Sequence, residues 1–85
     1  MAAEWRGALP TVQRFAGFTI YMYADDHPPP HFHVRGPGFG GVILLSNLEM
    51  DRGVLPPGIL DEAVKWASRN KDVLYEQWRR LNDRD

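Results

Sequence analysis

The sequence predicts an α+β fold: a small antiparallel β-sheet of three to five strands packed against a C-terminal pair of helices or one kinked helix. Two patterns and one spacing argument predict it. Between Thr11 and Met50 apolar residues alternate with polar ones in short runs, separated by Gly and Pro clusters, which is the period of half-buried strands. After Gly53 the period changes, and from Ile59 to Asp85 neither Gly nor Pro occurs, so this stretch is helical. The strand connections are short, and parallel neighbours would need crossovers of a dozen or more residues, so the sheet is antiparallel.

Met1 to Leu9 show no period and are followed by Pro10. They read as a flexible N-terminal extension, with residues 10–85 forming a single domain. Thr11 to Phe15 is a strand, Ala16-Gly17 a turn, and Phe18 to Tyr23 a second strand with Phe18, Ile20 and Met22 on one face and Thr19, Tyr21 and Tyr23 on the other. Ala24 to Pro30 must be a stiff loop, because Pro28, Pro29 and Pro30 donate no ladder hydrogen bonds. His31 to Arg35 alternates again, with Phe32 and Val34 opposite His31, His33 and Arg35. Gly36-Pro37-Gly38 with Gly40-Gly41 reads as a turn cluster, Val42 to Leu45 as a more buried strand, and Leu48 to Met50 as a short edge strand.

Leu60, Ala63, Val64, Ala67, Leu74, Trp78 and Leu81 form the apolar stripe of the helical segment. Pro56-Pro57 suits its entry, and Asp61 and Glu62 are expected in its first turns. An unbroken helix would place Lys71 in the apolar stripe. A break near Asn70, with Asn70 capping a second helix and Asp72 near its start, avoids this. Trp66 and Trp78 read as core or interface anchors.

The chain has 85 residues, of which 44% are hydrophobic, enough for one core and no more. Without cysteine there is neither a disulfide framework nor a thiolate chemistry. Ten basic against eleven acidic side chains make nucleic acid a less favoured partner without excluding a local basic patch. No apolar run spans a bilayer and the N-terminus lacks a signal-peptide stretch, so no membrane association and a cytoplasmic location are expected.

All three histidines fall within Asp25-Asp26-His27-Pro28-Pro29-Pro30-His31-Phe32-His33. Strand geometry puts His31 and His33 on one face roughly 7 Å apart at the backbone. With His27 or Asp26 returned by the proline loop, the set His27, His31, His33 and Asp26 offers nitrogen and oxygen ligands for a divalent metal, zinc or nickel. The same atoms also suit metal-free acid and base catalysis of phosphodiester cleavage, with Arg35 or Arg14 stabilising developing charge. A third reading is plainer, because His-X-His is common on strand surfaces and Asp26 would then only fix the loop. Tyr21, Tyr23 and Arg35 make either a stacking surface for single-stranded nucleic acid or, as the simpler reading, support for the sheet's outer face.

Pro10-Thr11-Val12, Phe15-Ala16-Gly17-Phe18, the run Asp26 to Val34 and the Trp66 and Trp78 helices together resemble the domain-of-unknown-function 4160 family of small bacterial proteins. The resemblance covers Leu9 to Leu81, and its most specific part is His27, Pro29, Pro30, His31, His33 and Val34. It implies association with toxin-antitoxin modules, and hence a small cognate protein partner and an RNA target. The leading functional expectation is therefore a binding or regulatory protein acting through such a partner, with a homodimer as another assembly. The alternative is a small hydrolase, most plausibly a ribonuclease, using His27, His31, His33 and Arg35 with or without metal.

Overall fold

The structure is a computed structural model and describes residues 11–82; the extension expected over Met1 to Leu9 lies outside them. Five strands, β1 (Thr11–Arg14), β2 (Thr19–Tyr21), β3 (His31–Gly36), β4 (Phe39–Leu44) and β5 (Met50–Val54), precede two helices, α1 (Pro57–Arg69) and α2 (Lys71–Asn82). The strands pair in sequence order, each antiparallel to the next. This is the antiparallel sheet and C-terminal helical layer expected from the patterning.

The strand limits differ from expectation where turn chemistry intervenes. Pro37-Gly38 alone connects β3 to β4, with Gly38 at φ 79°; proline followed by a left-handed glycine is the type II pattern. Gly36 can therefore pair with Phe39, and β4 begins before Val42. At the other end, Leu48 N–H donates to the Leu44 carbonyl at 2.9 Å and Leu48 itself has φ 59°. Leu48 and Glu49 thus belong to the turn, and the edge strand starts at Met50 and runs on to Val54.

Alternation sends Phe18, Ile20, Met22, Phe32, Val34, Ile43 and Leu45 to one face, where they bury against Leu55, Ala63, Ala67, Leu74 and Trp78. Complete burial of a side chain such as Phe32 contributes about 1.5–3 kcal/mol. The helical layer does break at Asn70. Its N–H donates to the Ala67 carbonyl at 3.0 Å while its own carbonyl accepts from Leu74 N–H at 3.0 Å, so one residue ends α1 and starts α2.

Two details are corrected. The Asn70 side-chain amide donates back to the Trp66 carbonyl at 2.8 Å, closing α1 instead of capping α2, because its backbone conformation turns the side chain toward the helix it leaves. Asp61 and Glu62 lie beyond the first turn of α1, which contains no acidic residue, since the helix already begins at Pro57. Asp72 does fall in the first turn of α2, and Lys71 leaves the apolar stripe to donate to the Ser46 carbonyl at 3.3 Å.

The other sheet face carries two cross-strand rows. One runs Arg14, Thr19, Arg35, Gly40 and Val54; the next runs Tyr21, His33, Val42 and Arg52. Residues opposed in an antiparallel pair share a face. The register slips between Val42 and Ile43, which pair with Arg52 and Met50; Asp51 is the extra residue of this bulge, and the slip keeps Arg52 on the outer face while Met50 packs inward.

Candidate functional site

The site forms where the β2–β3 loop returns to the start of β3. Asp25 has φ 57°, a left-handed conformation that aspartate tolerates better than most residues, and the chain reverses there. The turn is anchored on the end of α2: Asp25 N–H donates to the Leu81 carbonyl at 3.3 Å, and Asp26 N–H donates to Asn82 Oδ1 at 2.6 Å. These bonds satisfy loop donors and a helix-terminal carbonyl together. The Pro28-Pro29 peptide bond is cis.

The Asp26 carboxylate is thereby placed against two imidazoles. Its Oδ2 lies 2.8 Å from His31 Nε2 and 3.2 Å from His33 Nε2. One ligand atom from each of Asp26, His31 and His33 lies within 4.8 Å of the others. His31 is 3% exposed, packed with its ring centroid 5.0 Å from that of Trp78. The His33 side chain is 20% exposed and meets Tyr23 edge to face at 4.3 Å.

His31 Nδ1 lies 2.7 Å from the Pro29 carbonyl oxygen. A carbonyl only accepts, so Nδ1 carries a proton and donates it. In the neutral ring, Nε2 then presents a lone pair to a carboxylate oxygen that also has only lone pairs. That contact is favourable only with a second proton on the ring or a cation between the two atoms. A histidine held by Nδ1–H to a backbone carbonyl, with Nε2 free, is the arrangement that orients metal ligands.

Burial pushes the Asp26 carboxyl up, but hydrogen bonds with His33 and His31, the charge of His31 and the backbone bond from His27 outweigh it and hold the group below its ordinary value. Burial lowers the His33 imidazole, opposed by its bond to Asp26 and reinforced by the charges of His31 and Arg52. His33 is thus biased toward the neutral form that can ligate a metal.

The remaining sequence candidates fall around this centre. His27 lies outside the three-residue group: its side chain is 72% exposed and approaches the other carboxylate oxygen, Nδ1 to Oδ1 at 3.3 Å. Arg35 lies one row further along the outer face, with its guanidinium 5.7 Å from the Tyr21 ring centroid, and Arg14 lies in the same row. Tyr21 is buried and stacks with Tyr23 at 6.2 Å, so this pair supports the sheet as in the simpler reading. Sequence reasoning missed Asn82, the Pro29 carbonyl and Arg52. Nothing in the sequence marks the first two, and Arg52 reaches the outer face through a bulge that alternation does not reveal.

The family model described as Domain of unknown function (DUF4160) matches residues 17–79, and the chain belongs to that family. No curated protein and no solved structure matches it.

Proposed function

We propose that this DUF4160 chain binds a divalent transition-metal ion, zinc or nickel, through Asp26, His31 and His33 and serves as a small metal-dependent hydrolase. The observation that carries the reading is the facing of His31 Nε2 and Asp26 Oδ2, with the opposite ring nitrogen already committed to Pro29. Tetrahedral ligands bound about 2.0–2.1 Å from one ion lie roughly 3.3–3.4 Å apart, near the 3.2 Å separation of His33 from Oδ2, while the 2.8 Å contact of His31 would open by about 0.5 Å to admit the ion. Three protein ligands also leave coordination positions open, as in catalytic sites and unlike closed structural ones. A bound ion would supply Lewis acidity and an activated water. The chain's own part is to orient His31 through Pro29 and Trp78 and His33 through Tyr23, hold the carboxylate through the loop's bonds to α2, and expose one edge of the site at His33.

Action through a cognate protein partner is the second functional class. It needs a contiguous exposed apolar patch, and among the described residues the exposed large hydrophobics are Val54 on β5 and Val73 on α2. Among the described residues no helix is long and apolar enough to cross a membrane.

Titration calorimetry of tag-free protein with zinc and nickel tests the proposal. Binding tighter than millimolar, with proton release and loss of most affinity in His31→Ala and His33→Ala, is expected, together with metal-dependent hydrolysis of a chromogenic ester panel that His33→Ala abolishes. Equal binding in the double alanine variant would refute it.

A further inference from the structure

The metal cluster does not account for the groove beside it. This groove, about 220 Å³, lies on the outer sheet face and is lined by His33, Arg35, Gly40, Val42 and Arg52, among others. Its floor is low for a local reason: Gly40 sits between Arg35 and Val54 in the cross-strand row, and a Cβ built there would meet nothing closer than the Val34 carbonyl oxygen at 3.7 Å. The missing side chain leaves open space, and Arg35 and Arg52 both line it.

We infer that this groove is a phosphoryl-binding subsite, in which Arg35 and Arg52 hold the anionic oxygens of a phosphate ester beside His33. Three observations converge on this class of ligand. Both arginines line the same groove, and guanidinium groups bind phosphate oxygens with strong, charge-assisted and often bidentate bonds. Arg14 adds a third positive charge to the row that contains Arg35. The volume is below the roughly 300–1,000 Å³ of pockets for drug-sized ligands, so it fits a phosphoryl group and not an enclosed nucleoside.

The partners these arginines already have do not close the site. Arg52 Nε lies 3.5 Å from Asp51 Oδ2, in an ion pair whose side chains are 57% and 46% exposed, and such an exposed pair gives way at little cost. Arg35 leans over Tyr21, a contact that orients the guanidinium while leaving its donors for a ligand. Tyr21 is buried and already stacked on Tyr23, so it offers no free face to a base, and the charged contacts the groove supplies are to phosphoryl oxygens. Because His33 belongs to both the groove and the metal cluster, a phosphoryl group held there lies next to the proposed ion. Its assignment as the substrate group rests on the hydrolase reading; the anion binding does not.

The test separates the two. Metal-stripped, tag-free protein is titrated with inorganic phosphate, a mononucleotide and a short single-stranded oligonucleotide, for the wild type and for Arg35→Gln, Arg52→Gln and Gly40→Val. Saturable binding of all three anions is expected, weakened about tenfold or more by each arginine substitution. Gly40→Val should block it as well, by filling the groove without removing charge. A cooperative thermal melt and a wild-type far-ultraviolet circular dichroism spectrum in all three variants confirm that each is folded. Oligonucleotide binding that far exceeds phosphate binding would assign the ester to nucleic acid; equal affinities would assign the site to the phosphoryl group alone. Phosphate binding that is absent in wild type, or undiminished in both arginine variants, overturns the inference whatever the metal result. Zinc binding that fails while arginine-dependent phosphate binding persists removes the hydrolase reading and leaves this one standing.

Discussion

Replacing Asp26 by asparagine separates a metal ligand from a structural hydrogen-bond acceptor. In the metal-free chain, the new amide can donate to the His31 Nε2 lone pair, so the side-chain contact at 2.8 Å survives in the tautomer fixed by Pro29. The free energy of unfolding at pH 8 should therefore fall by no more than about 1 kcal/mol, one neutral hydrogen bond. Metal affinity should fall at least 100-fold, because a charged ligand in a set of three is lost. In a thermal melt with zinc at 100 times the wild-type Kd, binding stabilises the wild type by about 2.7 kcal/mol. For a chain of this length that is a rise in Tm of about 10–20 °C. In Asp26→Asn the same zinc concentration should give about 0.4 kcal/mol, and a shift of no more than about 3 °C. Equal shifts in both proteins would refute the ligand role. A collapse of metal-free stability in the variant would instead mark Asp26 as the partner of a protonated His31.

Trp78→Ala should cost about 3–5 kcal/mol in a denaturant titration, because the ring is buried in the core and also covers His31. His33→Ala, which removes one hydrogen bond from a partly exposed ring, should cost about 1 kcal/mol; the opposite ranking would reverse the assignment of faces. The pH dependence of metal-free stability follows from two lowered groups. Folded His33 protonates below the ordinary 6.5, so between that value and its folded one the unfolded chain binds more protons, and stability falls as the pH drops through this window. Asp26 adds a second loss as the pH falls below 3.8 through its lower folded value. His33→Gln should remove the upper step; an unchanged upper step in chemical denaturation at stepped pH would contradict the assignment.

The sequence by itself determined the strand and helix layers, because alternation and helical spacing report burial directly. Phe18, Ile20, Phe32, Val34 and Ile43 could satisfy a core only from one sheet face. It also placed His31 and His33 together on the opposite face, and it favoured a break or a kink near Asn70 that keeps Lys71 out of the apolar stripe, which the structure resolves as a break. Turn limits were less legible, because a two-residue turn at Pro37-Gly38 and a left-handed Leu48 depend on which residues pair across the strands.

The composition of the site was decided by tertiary structure. Asp26, and not its neighbour His27, joins the two histidines because the reversal at Asp25 is tied to Leu81 and Asn82, more than fifty residues along the chain. His31 is buried and His33 half-open because α2 brings Trp78 over the first and leaves the second beside the groove. Arg52 reaches that groove through the bulge at Asp51. Side-chain period is a local property that a sequence displays, whereas convergence of distant residues depends on register and on where a helix ends, and those are settled only when the whole core packs.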